Sequence, residues 1–375
     1  MPENVLPLDV THLRSALDHL NMGVYITDRD RRILLWNRKA EEITGWRAEQ
    51  VIGKSCRDHI LNHVDRNGQP LCSTQMCPLY RAMEVNRDSR EPILVYASKA
   101  DGKRIAVSVT VAPLRDEKGN VVGGIEAFRD ESAQVRDLEF ARTVQQRLAP
   151  ESLPQEGVVR FAVRHFPHDL VSGDFYDVRP VGEGRYGVLL ADVRGHGVSA
   201  GLYTMMLKSL EEQMHSRASE PARFLAAVNA ELSRYVVDES FATAFYAVVD
   251  VARGSLRYTN AGHPAPMHFH RDGGAITELD THGLPLGIAA GGGYSEGAMQ
   301  LAPGDLLLCY TDGIVEVNDR AGKMLGTSWL SAALQRYAQR AGAAMLDHIY
   351  RDALDACGDV VLPDDVLMLS IARPV

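Results

Sequence analysis

The sequence of 375 residues predicts an α+β protein made of two units joined by a helix. Three observations predict it. Short apolar segments of period two, separated by Asp- and Gly-containing turns, fill residues 10–130. An amphipathic stretch runs from Glu131 to Leu148 with no Gly/Ser linker on either side. Beyond residue 158, apolar β-branched runs alternate with helical periodicity, and several of the runs end beside aspartates.

The elements follow in order. Gly23–Thr27 and Arg32–Trp36 read as strands around the turn Asp28-Arg29-Asp30. Short helices follow over Arg38–Thr44 and Arg47–Ile52, then strands over Ile93–Ser98, Lys103–Leu114 and Val121–Phe128. Asp101-Gly102 and Lys118-Gly119-Asn120 are the turns between them. The helix at 131–150 places Leu138, Ala141, Val144 and Leu148 on one face, and Ala149-Pro150 and Leu153-Pro154 end it. It is either a linker helix packed on one neighbour or a parallel coiled-coil connector in a dimer. Arg185–Asp192 is an apolar strand. Val198–His215 is an amphipathic helix with Leu202, Met206, Leu210 and Met214 aligned, and Pro221–Tyr235 is another, with Ser219 as its N-cap. Thr243–Val251 and Ser255–Asn260 form a hairpin, and Asp305–Tyr310 and Val366–Ile371 are buried strands. These elements suit sheets packed together with helices outside.

Composition excludes several classes. A formal net charge of −9, with no basic block, argues against nucleic acid or an anionic membrane as a partner. No apolar run approaches the roughly 20 residues of a membrane span, and Met1-Pro2-Glu3-Asn4 does not open like a signal peptide. The expected location is cytoplasmic. Five cysteines in a chain this long do not make a disulfide framework.

Four acidic motifs carry the chemistry: Ser172-Gly173-Asp174-Phe175-Tyr176-Asp177, Asp192-Val193-Arg194-Gly195-His196-Gly197, Tyr310-Thr311-Asp312-Gly313 and Pro363-Asp364-Asp365-Val366. Any one of them reads as a solvated turn. Together, carboxylates at strand ends beside glycines fit a site for hard divalent cations. Two such ions activate water and clamp a phosphoryl group. Gly195 and Gly197 free the backbone for close approach, and Pro363 stiffens the turn into Asp364 and Asp365. No Cys-x5-Arg loop and no Walker-type glycine loop is present, so cysteine-dependent phosphatase, kinase and ATPase chemistry have no support.

Two resemblances follow. Tyr25-Ile26-Thr27-Asp28, Trp36-Asn37-Arg38-Lys39-Ala40 and Thr44-Gly45-Trp46 resemble PAS domains, which implies a sensor domain at 10–130. The region 138–375 resembles the metal-dependent serine/threonine phosphatases (PPM, type 2C), in the bacterial branch of SpoIIE and the sigma-B activator phosphatases. Besides the acids, that resemblance rests on residues 138–150, on Phe241-Ala242-Thr243-Ala244-Phe245-Tyr246, Asn260-Ala261-Gly262-His263-Pro264-Ala265-Pro266 and Gly283-Leu284-Pro285-Leu286-Gly287.

It implies a connector at 131–154 and an αββα sandwich phosphatase domain at 155–375. It further implies two Mn²⁺ or Mg²⁺ ions, with Asp192 bridging them, the Val193 carbonyl as a backbone ligand, Asp312 and Asp364 on one ion, and Asp174 near the other. Asp174 and Asp192 would then be the catalytic acids. Asp365 and Asp177 fall to supporting roles, His196 either orients water or packs in its loop, and His263 shapes the core. Ser172 and Val193 stand where related chains often carry glycine. The implied substrate is a phosphorylated STAS-type anti-sigma-factor antagonist, in a homodimer whose connector and helices at Val198–Tyr235 switch the site. A phosphatase-like scaffold without turnover, or a PAS ligand sensor acting through dimer rearrangement, are the competing readings.

A separate cluster, Cys56, His59, His63, Cys72 and Cys77, falls within the PAS-like region. Three thiols and an imidazole could hold zinc or an iron–sulfur cluster, or form a redox pair. They could equally be buried thiols beside surface histidines. A haem, flavin or other PAS-bound cofactor is also open, and the sequence singles out none.

Overall fold

The computed structural model describes residues 10–375 apart from His59, Asn67, Ser73, Gln75, Arg90, Glu91, His196, Asp238, Glu239, Asp280, Gly292, Ala341 and 359–361. The chain divides into two compact units, Met1–Asp137 and Leu138–Val375.

The first unit contains α1 (Val10–Asp18), β1 (Gly23–Asp28), β2 (Ile33–Trp36), α2 (Arg38–Thr44), α3 (Ala48–Val51), α4 (Pro78–Val85), β3 (Ile93–Ser98), β4 (Arg104–Arg115) and β5 (Val121–Asp130). Its antiparallel sheet has the order β2-β1-β5-β4-β3. Asn37 shows why the Trp36-Asn37-Arg38 motif folds as it does. Its Oδ1 accepts from the Ala40 N–H at 2.9 Å, capping α2, and from the Val24 N–H at 2.8 Å, docking that cap on β1. Gly45 ends α2 with φ 75°, the left-handed conformation that suits glycine. Tyr25, Ile33, Trp36, Leu79, Val107 and Phe128 build the core. Helices α1 and α4 were not expected from the sequence; α4 starts at a proline and is too short for its period to show.

Helix α5 (Ser132–Leu148) spans the division between the units. Leu138, Ala141, Val144 and Leu148 are half-buried along one face, as their spacing requires.

The second unit contains β6 (Arg160–Phe166), β7 (Asp174–Gly182), β8 (Arg185–Val193), α6 (Val198–Gln213), α7 (Pro221–Leu232), β9 (Ala242–Asp250), β10 (Ser255–Ala261), β11 (Met267–Phe269), β12 (Ile276–Glu278), β13 (Gly297–Gln300), β14 (Leu306–Tyr310), α8 (Gly326–Tyr337), α9 (Ala343–Cys357) and β15 (Val366–Ala372). They form two five-stranded antiparallel sheets, β13-β10-β9-β8-β7 and β12-β11-β14-β15-β6. One face of each sheet meets the other through Val188, Leu190, Phe245, Leu307, Leu369 and Ile371. Helices α6 and α7 cover the outer face of the first sheet and α8 and α9 that of the second. The layering is therefore helix, sheet, sheet, helix. The central strands are apolar on both sides because both faces are covered, and all seven residues of β15 are buried.

Two local expectations are corrected. On α6, Leu202 is 60 % exposed, so it does not belong to the packing stripe with Met206, Leu210 and Met214. The buried line is Ala200, Gly201, Thr204, Leu207 and Leu210. A Cβ on Gly201 would lie 2.0 Å from Cγ1 of Val171, so close approach selects small residues over the bulkiest apolar stripe. The N-cap of α7 is Glu220, not Ser219, and it makes no side-chain cap; Pro221 at the helix start needs no N–H partner.

Candidate metal centre

The sheet pairing assembles the acids. Asp174 opens β7 and lies directly opposite Asp192 on β8. Asp312 follows the end of β14, and Asp364 and Asp365 precede β15, its partner strand. Four segments from two sheets thus bring their carboxylates to one end of the sandwich. Gly313 permits this: a Cβ there would lie 2.0 Å from the Asp365 carbonyl oxygen and 3.4 Å from Cβ of Asp364.

Hydrogen bonds fix the arrangement. Thr311 donates its hydroxyl to Oδ2 of Asp174 at 2.8 Å and accepts from the Leu367 N–H at 2.9 Å. Asp365 accepts from the Ser172 hydroxyl at 2.7 Å, from the Gly173 N–H at 2.8 Å and from the His168 N–H at 2.7 Å. Its oxygens are engaged in holding the Asp174 segment. His165 Nε2 lies 3.0 Å from the Ser172 hydroxyl. Gln145 on α5 donates to the Ser172 carbonyl at 2.7 Å and to Thr204 on α6 at 2.8 Å, and its Oε1 accepts from the Ser172 N–H at 3.1 Å. A cavity of about 250 Å³ has Gln145, His165 and Asp174 in its wall.

Burial and like charge dominate the electrostatics of the acids, although Arg142 shares the cavity wall with Asp174. Burial raises the Asp174 carboxyl well above the ordinary range, and Asp192, Asp365 and Asp312 add to it. Asp192 is pushed up to about 7 by burial, then by Asp312, Asp364, Asp365 and Glu316. Asp312 is pushed up to about 6 by burial, then by Glu316 and Asp364. Like charges gathered without a cation shift in this direction, and a divalent ion would reverse it.

The donor set fits hard cations. It consists of carboxylate oxygens and the Val193 carbonyl. A Cβ on Gly173 would lie 2.9 Å from that carbonyl oxygen and 3.2 Å from the Gly195 oxygen, so glycine there leaves both open. Gly195 and Gly197 have φ of 95° and 77°. No three of the acids bring ligand atoms within 4.8 Å of one another; among the described residues only His268, His270 and Asp305 do. Oxygens on one such ion lie within about 4.4 Å of one another, so holding an ion through Asp192, Asp312 and Asp364 would draw these side chains closer together. The Asp305 carboxylate is already engaged by the Arg271 and Ala302 N–H groups and His268.

Asp177 stands apart. It pairs with Lys208 at 2.5 Å and Arg179 at 2.6 Å beside buried Glu211. Burial works upward on its carboxyl, but these cations hold it below its usual value. His263 is buried, shares a 2.8 Å hydrogen bond with Thr243, and is locked through Asn260, so it shapes the core. His196 and His59 lie outside the described residues. Thr311, Gln145 and Glu316 escaped the sequence reading; only the Tyr310-Thr311-Asp312-Gly313 context hinted at Thr311. In the first unit, Cys56, His63, Cys72 and Cys77 are all buried. Cys77 is lowered to about 6, chiefly by a hydrogen bond from Cys72, whereas burial pushes Cys56 up to about 12.

The stage II sporulation protein E (SpoIIE) family matches residues 182–374, just over half of the chain, and the PAS fold matches residues 11–130. "Phosphoserine phosphatase RsbU" of Bacillus subtilis is 27 % identical over 239 residues, 64 % of this chain and 70 % of that protein. "Phosphoserine phosphatase RsbP" of the same organism is 31 % identical over 185 residues, 48 % of this chain but only 45 % of that protein. Among solved structures, the SiaA-PP2C domain of Pseudomonas aeruginosa superposes with TM-score 0.57 at 22 % identity, over 64 % of this chain and 99 % of that one. The chain belongs to the SpoIIE family, with a PP2C-type phosphatase domain preceded in sequence by a PAS domain.

Proposed function

We propose that this chain is a metal-dependent protein serine/threonine phosphatase under PAS control, whose substrate is a phosphorylated STAS-type anti-sigma-factor antagonist. The observation that carries the reading is the convergence of Asp174, Asp192, Asp312 and Asp364, where burial and neighbouring carboxylates push the first three upward. A catalytically idle scaffold has no reason to bear that cost. The phosphoserine phosphatase names of RsbU and RsbP support phosphoserine as the group hydrolysed.

When bound, a pair of Mn²⁺ or Mg²⁺ ions lowers the pKa of water and neutralises phosphoryl charge. Asp192 would hold both ions, Asp312 and Asp364 one of them, and Asp174 the other with the Val193 carbonyl. Thr311 keeps Asp174 turned toward the site, and Asp365 keeps the Ser172-Gly173 backbone in place. The domain boundaries proposed are 10–130, 131–154 and 155–375, with a homodimer formed through the connector.

The test is release of phosphate from p-nitrophenyl phosphate and from candidate phosphorylated STAS proteins, with and without Mn²⁺. Mn²⁺-dependent turnover of a phosphorylated STAS protein is expected. Tight binding of that protein without turnover, at saturating metal, would establish the scaffold reading instead.

A further inference from the structure

The first unit contains a second polar cluster that phosphatase chemistry does not use. Cys56, His63, Cys72 and Cys77 are 4 %, 2 %, 3 % and 3 % exposed, inside an otherwise apolar core. Local structure delivers each one. The Cys56 N–H bonds the Arg31 carbonyl at 3.0 Å, beside the Arg32–Ser55 bridge. The His63 N–H points at the Cys72 sulfur at 3.0 Å. Cys77 is the N-cap of α4, where unpaired N–H groups and the helix dipole favour a thiolate.

Glu126 is the independent sign that something is bound there. It occupies an inward position of β5, between buried Gly124 and Phe128. It is 1 % exposed, and neither carboxylate oxygen has a partner at good hydrogen-bond geometry; the Tyr25 hydroxyl is near enough to oppose the upward push of burial on its pKa but does not offset it. The nearby His63 Nε2 lies 3.7 Å from Oε1, beyond hydrogen-bond reach. A desolvated carboxyl without a well-formed hydrogen bond is costly, and an apolar side chain would suit that strand position better. A cation beside it removes the cost.

The donor set selects the cation. Three thiols and one imidazole form a Cys₃His set, which suits tetrahedral zinc. An acceptor behind the imidazole completes such sites by fixing the ring and its tautomer. We propose that the PAS domain holds one Zn²⁺ through Cys56, His63, Cys72 and Cys77, with Glu126 accepting the His63 ring N–H. Three thiolates and one Zn²⁺ leave a single negative charge, and Arg31 is placed to balance it. Arg31 donates to the Cys72 carbonyl at 2.9 Å and its guanidinium lies 5.0 Å from the centre of the Tyr80 ring. The Cys72 and Cys77 thiols are hydrogen-bonded to each other with Cys56 nearby, but no three of the proposed ligand atoms lie within 4.8 Å of one another. Zn–S bonds of about 2.3 Å would contract the set by side-chain rotation.

The experiment uses the full chain carrying Asp192→Asn and Asp312→Asn, so that the phosphatase centre does not contribute metal. Elemental analysis should find about one zinc per chain, released stoichiometrically as a mercurial titrates the thiols. Replacement by Co²⁺ should give thiolate-to-cobalt charge-transfer absorption. Cys72→Ser and Cys77→Ser should lose both signals. Glu126→Gln keeps the side-chain volume and should weaken zinc binding by about 10- to 100-fold, the range for partners behind a metal ligand. Unchanged zinc affinity in folded Glu126→Gln would overturn the role of Glu126. A folded, zinc-free chain with no cobalt absorption would overturn the site. Iron with sulfide, or a Cys72–Cys77 disulfide in protein purified without reductant, would do so too.

Discussion

The Thr311 hydroxyl donates to Oδ2 of Asp174 across 2.8 Å, joining the end of β14 in one sheet to the start of β7 in the other. The same hydroxyl accepts from the Leu367 N–H on β15. One buried side chain therefore sets the distance between acids on different sheets. Thr311→Val should leave the Asp174 oxygen and the Leu367 N–H unpaired, at about 1–3 kcal/mol. Thr311→Ser should restore both stability and Mn²⁺ affinity. Denaturant unfolding and metal titration of the two variants check this, and equal behaviour of Val and Ser would refute it.

Asp192→Asn and Asp312→Asn should each lower kcat by about 10²-fold or more, by analogy with loss of one electrostatic stabiliser. The circular dichroism spectrum should not change. Near-normal kcat at saturating Mn²⁺ in either variant would contradict the ligand assignment.

Metal-free protein should lose stability as pH rises. The folded-state pKa of Asp192, about 7, lies above the ordinary value near 4. The folded chain therefore binds the proton more tightly than the unfolded one. That contribution is fully present below about pH 4 and is lost as pH rises through about 7. Asp312, at about 6, acts in the same direction. Thermal unfolding in EDTA should show Tm falling over this window, and Asp192→Asn should flatten the slope. Excess Mn²⁺ should remove the fall and bind more tightly at pH 8 than at pH 6, because binding displaces protons.

Gln145 joins α5 to Ser172, two residues before the proposed ligand Asp174, and to α6 through Thr204. Gln145→Ala should weaken Mn²⁺ binding more than it lowers Tm. A chain starting near Gln155, which lacks α5, should bind Mn²⁺ poorly and show weak, signal-independent activity. Inserting two or four residues near Arg136 should change phosphatase activity more than stability, since a helix transmits rotation and displacement. Activity and Mn²⁺ dependence equal to the full chain in all three would refute control through the helix.

Sequence by itself determined the fold class, most strands and which acids are the site's candidates. Period-two patterns and turn glycines act locally, so β1 to β5 and the β9–β10 hairpin were legible from neighbours in the chain. Asp174, Asp192, Asp312 and Asp364 were legible because their glycines and strand runs sit beside them. Tertiary structure decided what long-range contacts set. The stripe on α6 followed the close approach to Val171, which overruled the larger apolar side chains. Thr311, Gln145 and Asp365 acquired their tasks from partners 27 to 197 residues away, among them Leu367, Ser172, Thr204 and His168. Glu126 looked like one more strand residue until the pleat turned it inward beside His63. A hydrogen bond or a buried charge depends on distance in space, which sequence spacing reports only within an element.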